Sequence, residues 1–90
     1  MSKTLYKLVT VKVTAPLIRR GQPKDTQSCP VALAVRRAIK KPEVMVDDEV
    51  TWDEGFVALP ARIRRWIQRF DLGKPVNPIE FTLRIRSDYL

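Results

Sequence analysis

The sequence predicts an α+β fold: a small antiparallel or mixed sheet, built from long N- and C-terminal strands plus a short acidic hairpin, with two amphipathic helices packed on one face. Three observations predict it. Apolar and polar residues alternate near both ends of the chain, two internal stretches place their apolar residues at helical spacing, and a run of short β-branched pieces is broken by Asp and Gly. Ninety residues without a repeat or low-complexity tract predict one domain over 1–90, with a modest core that a partner subunit would reinforce.

The first element is read from "TLYKLVTVKVT". Leu5, Lys7, Val9, Val11 and Val13 fall on one side and Tyr6, Leu8, Thr10 and Lys12 on the other, and the β-branched content fits a strand. "TAPLIRRG" then predicts one or two helical turns, with Thr14 as cap, Pro16 in the tolerant first turn and Gly21 ending the turn in a left-handed conformation. After the loop "QPKDTQ", Ser28 is placed to cap a helix running from about Cys29 to Lys40, with Pro30 in its first turn and Pro42 ending it. Val31, Ala32, Ala34, Val35, Ala38 and Ile39 share one arc of that helix. Arg36, Arg37 and Lys40 share the opposite arc with Leu33 and Cys29, which makes a basic stripe.

"EVMVDDEVTWDEGFVALP" predicts a small antiparallel hairpin or meander from Glu43–Val46, Glu49–Trp52 and Phe56–Ala58, with Gly55 in a tight turn. In "PARIRRWIQRF", Ile63, Trp66, Ile67 and Phe70 recur at i, i+3, i+4 and i+7, so a helix over Pro60–Phe70 turns that stripe to the core. Leu59 packs back on its first turn, and Gly73 and Pro75 stop it. The last element alternates Ile79, Phe81, Leu83 and Ile85 with Glu80, Thr82, Arg84 and Arg86, and the two long terminal strands are expected to pair.

Charge is unevenly spread. The net +7 divides into +9 over residues 1–41, −6 over 42–54, where six acids meet no base, and +4 over 55–90. A basic body suits an anionic partner, nucleic acid or a nucleotide, while opposite patches suit protein contacts, including a homodimer or higher homo-oligomer. No run is apolar enough to span a membrane and "MSKTLYK" lacks a signal-peptide core, so a cytoplasmic protein is expected.

Candidate chemistry is sparse. A single cysteine and no histidine rule out the usual four-ligand zinc sets within one chain. Cys29 near a helix start invites a lowered thiol pKa, but no histidine is present to act as its base, and the simpler reading is a small apolar side chain packed between helix and sheet. Asp47, Asp48, Glu49, Asp53 and Glu54 read more simply as turn acids than as a magnesium cluster. No phosphate loop, catalytic dyad or cofactor fingerprint appears, so the expectation is a non-enzyme without cofactor or metal.

The basic residues carry the functional expectation. Arg62, Arg65 and Arg69 share one side of the second long helix, with Arg64 apart. Arg36, Arg37 and Lys40 line the first, and Arg19, Arg20 and Lys24 border the loop before Ser28, where an anion would also meet free helix amides. Either stripe also reads as an ordinary solvated face.

"SCPVALAVRRA" and "LPARIRRWIQRFDLGKPVNPIEFTL" resemble small uncharacterised proteins of bacteriophages and prophages that share a "CP-apolar-A-L-A" helix and a C-terminal "LP…FD.G.PV.P…F.L" segment. The matching positions are Cys29 to Ala34, then Leu59, Pro60, Ile67, Phe70, Asp71, Gly73, Pro75, Val76, Pro78, Phe81 and Leu83. Ile79 stands where the group has an aromatic, and this chain is more basic. The resemblance implies a phage-type accessory protein in the host cytosol and brings no activity with it. The expected function is binding of a phosphate-bearing ligand, with docking on a host defence or transcription complex as the alternative.

Overall fold

The computed structural model describes residues 5–90. The chain runs β1 (Tyr6–Val13), α1 (Ala15–Arg20), α2 (Pro30–Ile39), β2 (Met45–Val46), β3 (Glu49–Trp52), β4 (Gly55–Ala58), α3 (Ala61–Asp71), β5 (Ile79–Arg86) and a closing 3-10 turn over Ser87–Tyr89. The α+β class is as the alternation and helical spacing predict. Thr4, the expected first residue of the N-terminal strand, lies outside the described residues.

β1 and β5 pair antiparallel along their whole length, from Tyr6 opposite Arg86 to Val13 opposite Ile79. Because side chains alternate along a strand, Val11 and Val13 join Phe81, Leu83 and Ile85 in the interior. Tyr6, Leu8, Thr10, Lys12, Glu80, Thr82 and Arg84 make an exposed outer face. On that face the Arg84 guanidinium lies 4.1 Å over the Tyr6 ring, and Lys12 pairs with Glu80 at 3.8 Å. The ribbon's inner face is covered by α2, which lies along β1 and buries Pro30, Val31, Ala32, Ala34, Val35 and Ile39.

The acidic segment forms its own antiparallel meander, β2-β3-β4, instead of extending the β1-β5 sheet. β4 approaches β5 without joining its ladder, and the turn that follows β5 adds contacts of its own. There the Trp52 indole Nε1 donates to the Tyr89 carbonyl at 2.6 Å, and the Phe56 and Tyr89 rings stand 5.8 Å apart. Val50 and Trp52 from the meander, Leu17 from α1, Ile63 and Trp66 from α3, and the ribbon's inner face then close one continuous core. Each such side chain removed from water contributes about 1.5–3 kcal/mol.

The caps and turns depart from the sequence pattern more than the elements do. Ser28 does not cap α2. Cys29 is the N-cap and its Sγ accepts from Ala32 N–H at 3.4 Å, while the Ser28 amide donates to Asp25 Oδ1 at 3.1 Å. Thr14 is the N-cap of α1 but makes no side-chain cap bond. Gly21 is extended, φ −68° and ψ 149°, not left-handed; its need is space, because a Cβ there would overlap the Pro30 ring. Gly55 likewise lies in β4, with Asp53-Glu54 forming the two-residue turn, and a Cβ there would overlap the Tyr89 ring. The left-handed residue that ends α2 is Lys40, φ 59°, and after α3 it is Gly73, φ +75°, with Lys74 N–H returning to the Arg69 carbonyl at 3.0 Å.

Candidate functional site

The connection between α1 and α2 is short and heavily bonded. Asp25 Oδ1 accepts from the amides of Gln27 and Ser28, Gln22 N–H donates to the Ser28 carbonyl at 2.9 Å, and Cys29 N–H donates to the Asp25 carbonyl at 3.0 Å. This Asx turn, with Gly21 seated against Pro30, folds α1 back beside α2. Between them lies a groove of about 500 Å³ lined by Leu17, Arg20, Gln22, Ser28, Leu33, Arg36 and Arg37.

Three arginines and no carboxylate line that groove. Arg20 ends α1 and Arg36 and Arg37 lie in the last turn of α2, positions where cations meet the negative end of a helix dipole favourably. Arg36 is half-buried. Its Nη2 donates to the Gln27 carbonyl at 2.8 Å, and its Nε is buried without a hydrogen-bond partner among the described residues. A buried N–H left unpaired costs about 1–3 kcal/mol, while the Nη2 bond to Gln27 orients the fork.

Two other clefts have the opposite character. One of about 300 Å³ is lined by Asp25, Asp47, Asp48 and Asp71 beside Lys24 and Arg64, and another of about 530 Å³ by Asp47, Asp48 and Glu49 without a base. Both disfavour an anion. Asp47, Asp48, Glu49 and Asp53 are exposed turn and strand acids, and Lys41 pairs with Glu54 at 3.2 Å.

The nine basic residues singled out from the sequence thus separate. Arg20, Arg36 and Arg37 meet in the groove. Lys24 faces the acidic cleft and its amide donates to Asp71 Oδ1 at 2.9 Å. Arg19 is exposed on α1, and Lys40 is exposed as the C-cap of α2. On α3, Arg62 donates to the Glu80 carbonyl at 3.2 Å and Arg69 to the Pro75 carbonyl at 3.3 Å, so both brace the approach to β5; Arg65 is exposed. Free amides at the start of α2 do not take part, since Val31 and Ala32 are buried and Cys29 Sγ holds the Ala32 N–H. Leu17, Gln22, Ser28 and Leu33 were not anticipated as lining residues. The one available signal was Leu33 sharing an arc with the arginines.

Cys29 is buried, and burial pushes its thiol pKa up against the weaker opposing effect of the Ala32 and Val31 amides. A thiol held protonated is a packed side chain and not an activated nucleophile. Among the described residues no helix is long and apolar enough to cross a membrane. Compared with protein-family models, curated proteins and solved structures, the chain matches none.

Proposed function

We propose that the chain is a small non-enzymatic accessory protein of phage type, acting in the bacterial cytosol, that binds a phosphate-bearing ligand, nucleic acid or nucleotide. The observation that carries this reading is the convergence of Arg20, Arg36 and Arg37 on one groove without a carboxylate. Guanidinium forks match phosphate oxygens two at a time, and the +7 net charge draws anions toward the surface. The test is calorimetry and electrophoretic shift with nucleotides and nucleic acids at two salt concentrations. Binding that weakens with salt is expected; no binding of any phosphate-bearing ligand at low salt overturns the reading.

A second reading, docking on a host protein complex, is favoured by the meander's outer face. Met45 and Phe56 are 47% and 52% exposed there, beside the acids Asp47, Asp48 and Glu49, which make no salt bridge among the described residues. An apolar centre with a charged rim is the anatomy of an interface. Retention of a partner from host lysate after nuclease treatment, lost in Phe56→Ser, separates this reading from the first.

A further inference from the structure

We infer that the groove between α1 and α2 takes a mononucleotide-sized ligand, a phosphate monoester carrying a planar base, with Arg36 as its anchoring side chain. The inference deepens the proposed phosphate-binding reading and rests on it.

Size and lining point the same way. At about 500 Å³ the groove falls within the range of small-molecule clefts, about 300–1,000 Å³. Leu33 gives it apolar surface against which a ring can lie, and Gln22 and Ser28 add side chains that donate and accept. Three cations in one concave site neutralise one phosphate group closely, whereas a duplex is held by many phosphate contacts spread along a rod.

Four of the other basic residues do not extend the groove into such a track. Arg62 and Arg69 are committed to the carbonyls of Glu80 and Pro75, and Lys24 and Arg64 sit among carboxylates in the neighbouring cleft. Arg36 is the anchor because it is already fixed. Its single bond to the Gln27 carbonyl orients the planar fork before a ligand arrives, so less side-chain freedom is lost on binding than for an exposed arginine.

Calorimetry on the full chain tests this with the four nucleoside 5′-monophosphates, adenosine, inorganic phosphate and a short duplex DNA, at about 50 and 200 mM NaCl. At least one monophosphate is expected to bind about tenfold or more tightly than adenosine or inorganic phosphate, a difference of about 1.4 kcal/mol. Arg36→Lys, which keeps the charge and loses the fork, is expected to weaken that binding about tenfold. Should the lysine variant fail to fold by circular dichroism, Arg37→Glu on the exposed wall gives the same readout. Duplex binding with a loss of about a thousandfold between the two salts, and no monophosphate binding, overturns this inference and leaves the broader reading standing. Inorganic phosphate binding as tightly as the monophosphates overturns the role given to the base. No binding of any of these ligands overturns both.

Discussion

The indole of Trp52 and the main chain of Tyr89 are joined by a 2.6 Å hydrogen bond that ties the acidic meander to the turn after β5. The two sheets share no ladder, so this bond, with the tilted Phe56–Tyr89 ring pair, is the polar stitch between them. Trp52→Phe keeps much of the ring and strands the Tyr89 carbonyl. Urea denaturation is expected to show a loss of about 1–2 kcal/mol, against about 3–5 kcal/mol for Trp52→Ala, which also opens a cavity.

Gly21 and Gly73 make a paired test of why a glycine is needed. At Gly21 the backbone suits any residue but the Pro30 ring occupies the Cβ position; at Gly73 the space is open and the φ of +75° is the obstacle. Gly73→Ala is expected to cost about 1–2 kcal/mol. Gly21→Ala is expected to cost about 1–3 kcal/mol and, unlike the other, to weaken phosphate-ligand binding, because the overlap pries α1 from α2. Thermal melts and calorimetry on the same samples read both.

Burial raises the Cys29 thiol pKa, and the sign of its pH dependence follows. Above the ordinary thiol pKa, about 8.5, the unfolded chain has released a proton that the folded chain still holds, so stability falls as pH rises toward the folded value. Below that window the thiol contributes no slope. Stability measured from pH 7 to 10 is expected to fall faster in the native protein than in Cys29→Ala, by up to about 1.4 kcal/mol per pH unit. Slow reaction of the folded protein with a thiol reagent, becoming fast in urea, is the companion result.

The two arginine stripes are expected to respond differently. Arg62→Ala and Arg69→Ala each remove an exposed bond to a carbonyl, at a cost of about 1 kcal/mol or less, with phosphate-ligand affinity nearly unchanged. Arg20→Ala and Arg37→Ala are expected to leave stability within about 0.5 kcal/mol and weaken that ligand about tenfold each. Equal loss of affinity from both pairs would remove the groove from its assigned role.

What the sequence made legible was periodicity. The Ile79–Ile85 alternation and the Ile63/Trp66/Ile67/Phe70 spacing need only a chain neighbour to be interpreted, and both elements form within a residue or so of expectation. The failures all depend on a partner distant in sequence or on a local rival. Gly55 is explained by Tyr89, and Arg62 is engaged by the Glu80 carbonyl. Asp25 occupies the Ser28 amide, which leaves Cys29 to cap the helix. The groove was half legible for the same reason: α2's basic stripe can be drawn on a wheel, but which helix stands opposite depends on the turn at Asp25 and on Gly21 against Pro30.

The full-length pairing of β1 with β5 also fixes an order of assembly. Tyr6 meets Arg86 only after every element between them has been made, so during translation β1 and α2 leave the ribosome without the strand that completes their floor. Joining segments so far apart carries a large loop-closure entropy before any contact rewards it, which slows folding relative to a bundle of local helices. Until β5 arrives, Val11 and Val13 lack their partners and the surface beneath α2 stays wet. The nascent chain therefore cannot complete the β1-β5 ribbon before β5 has been made.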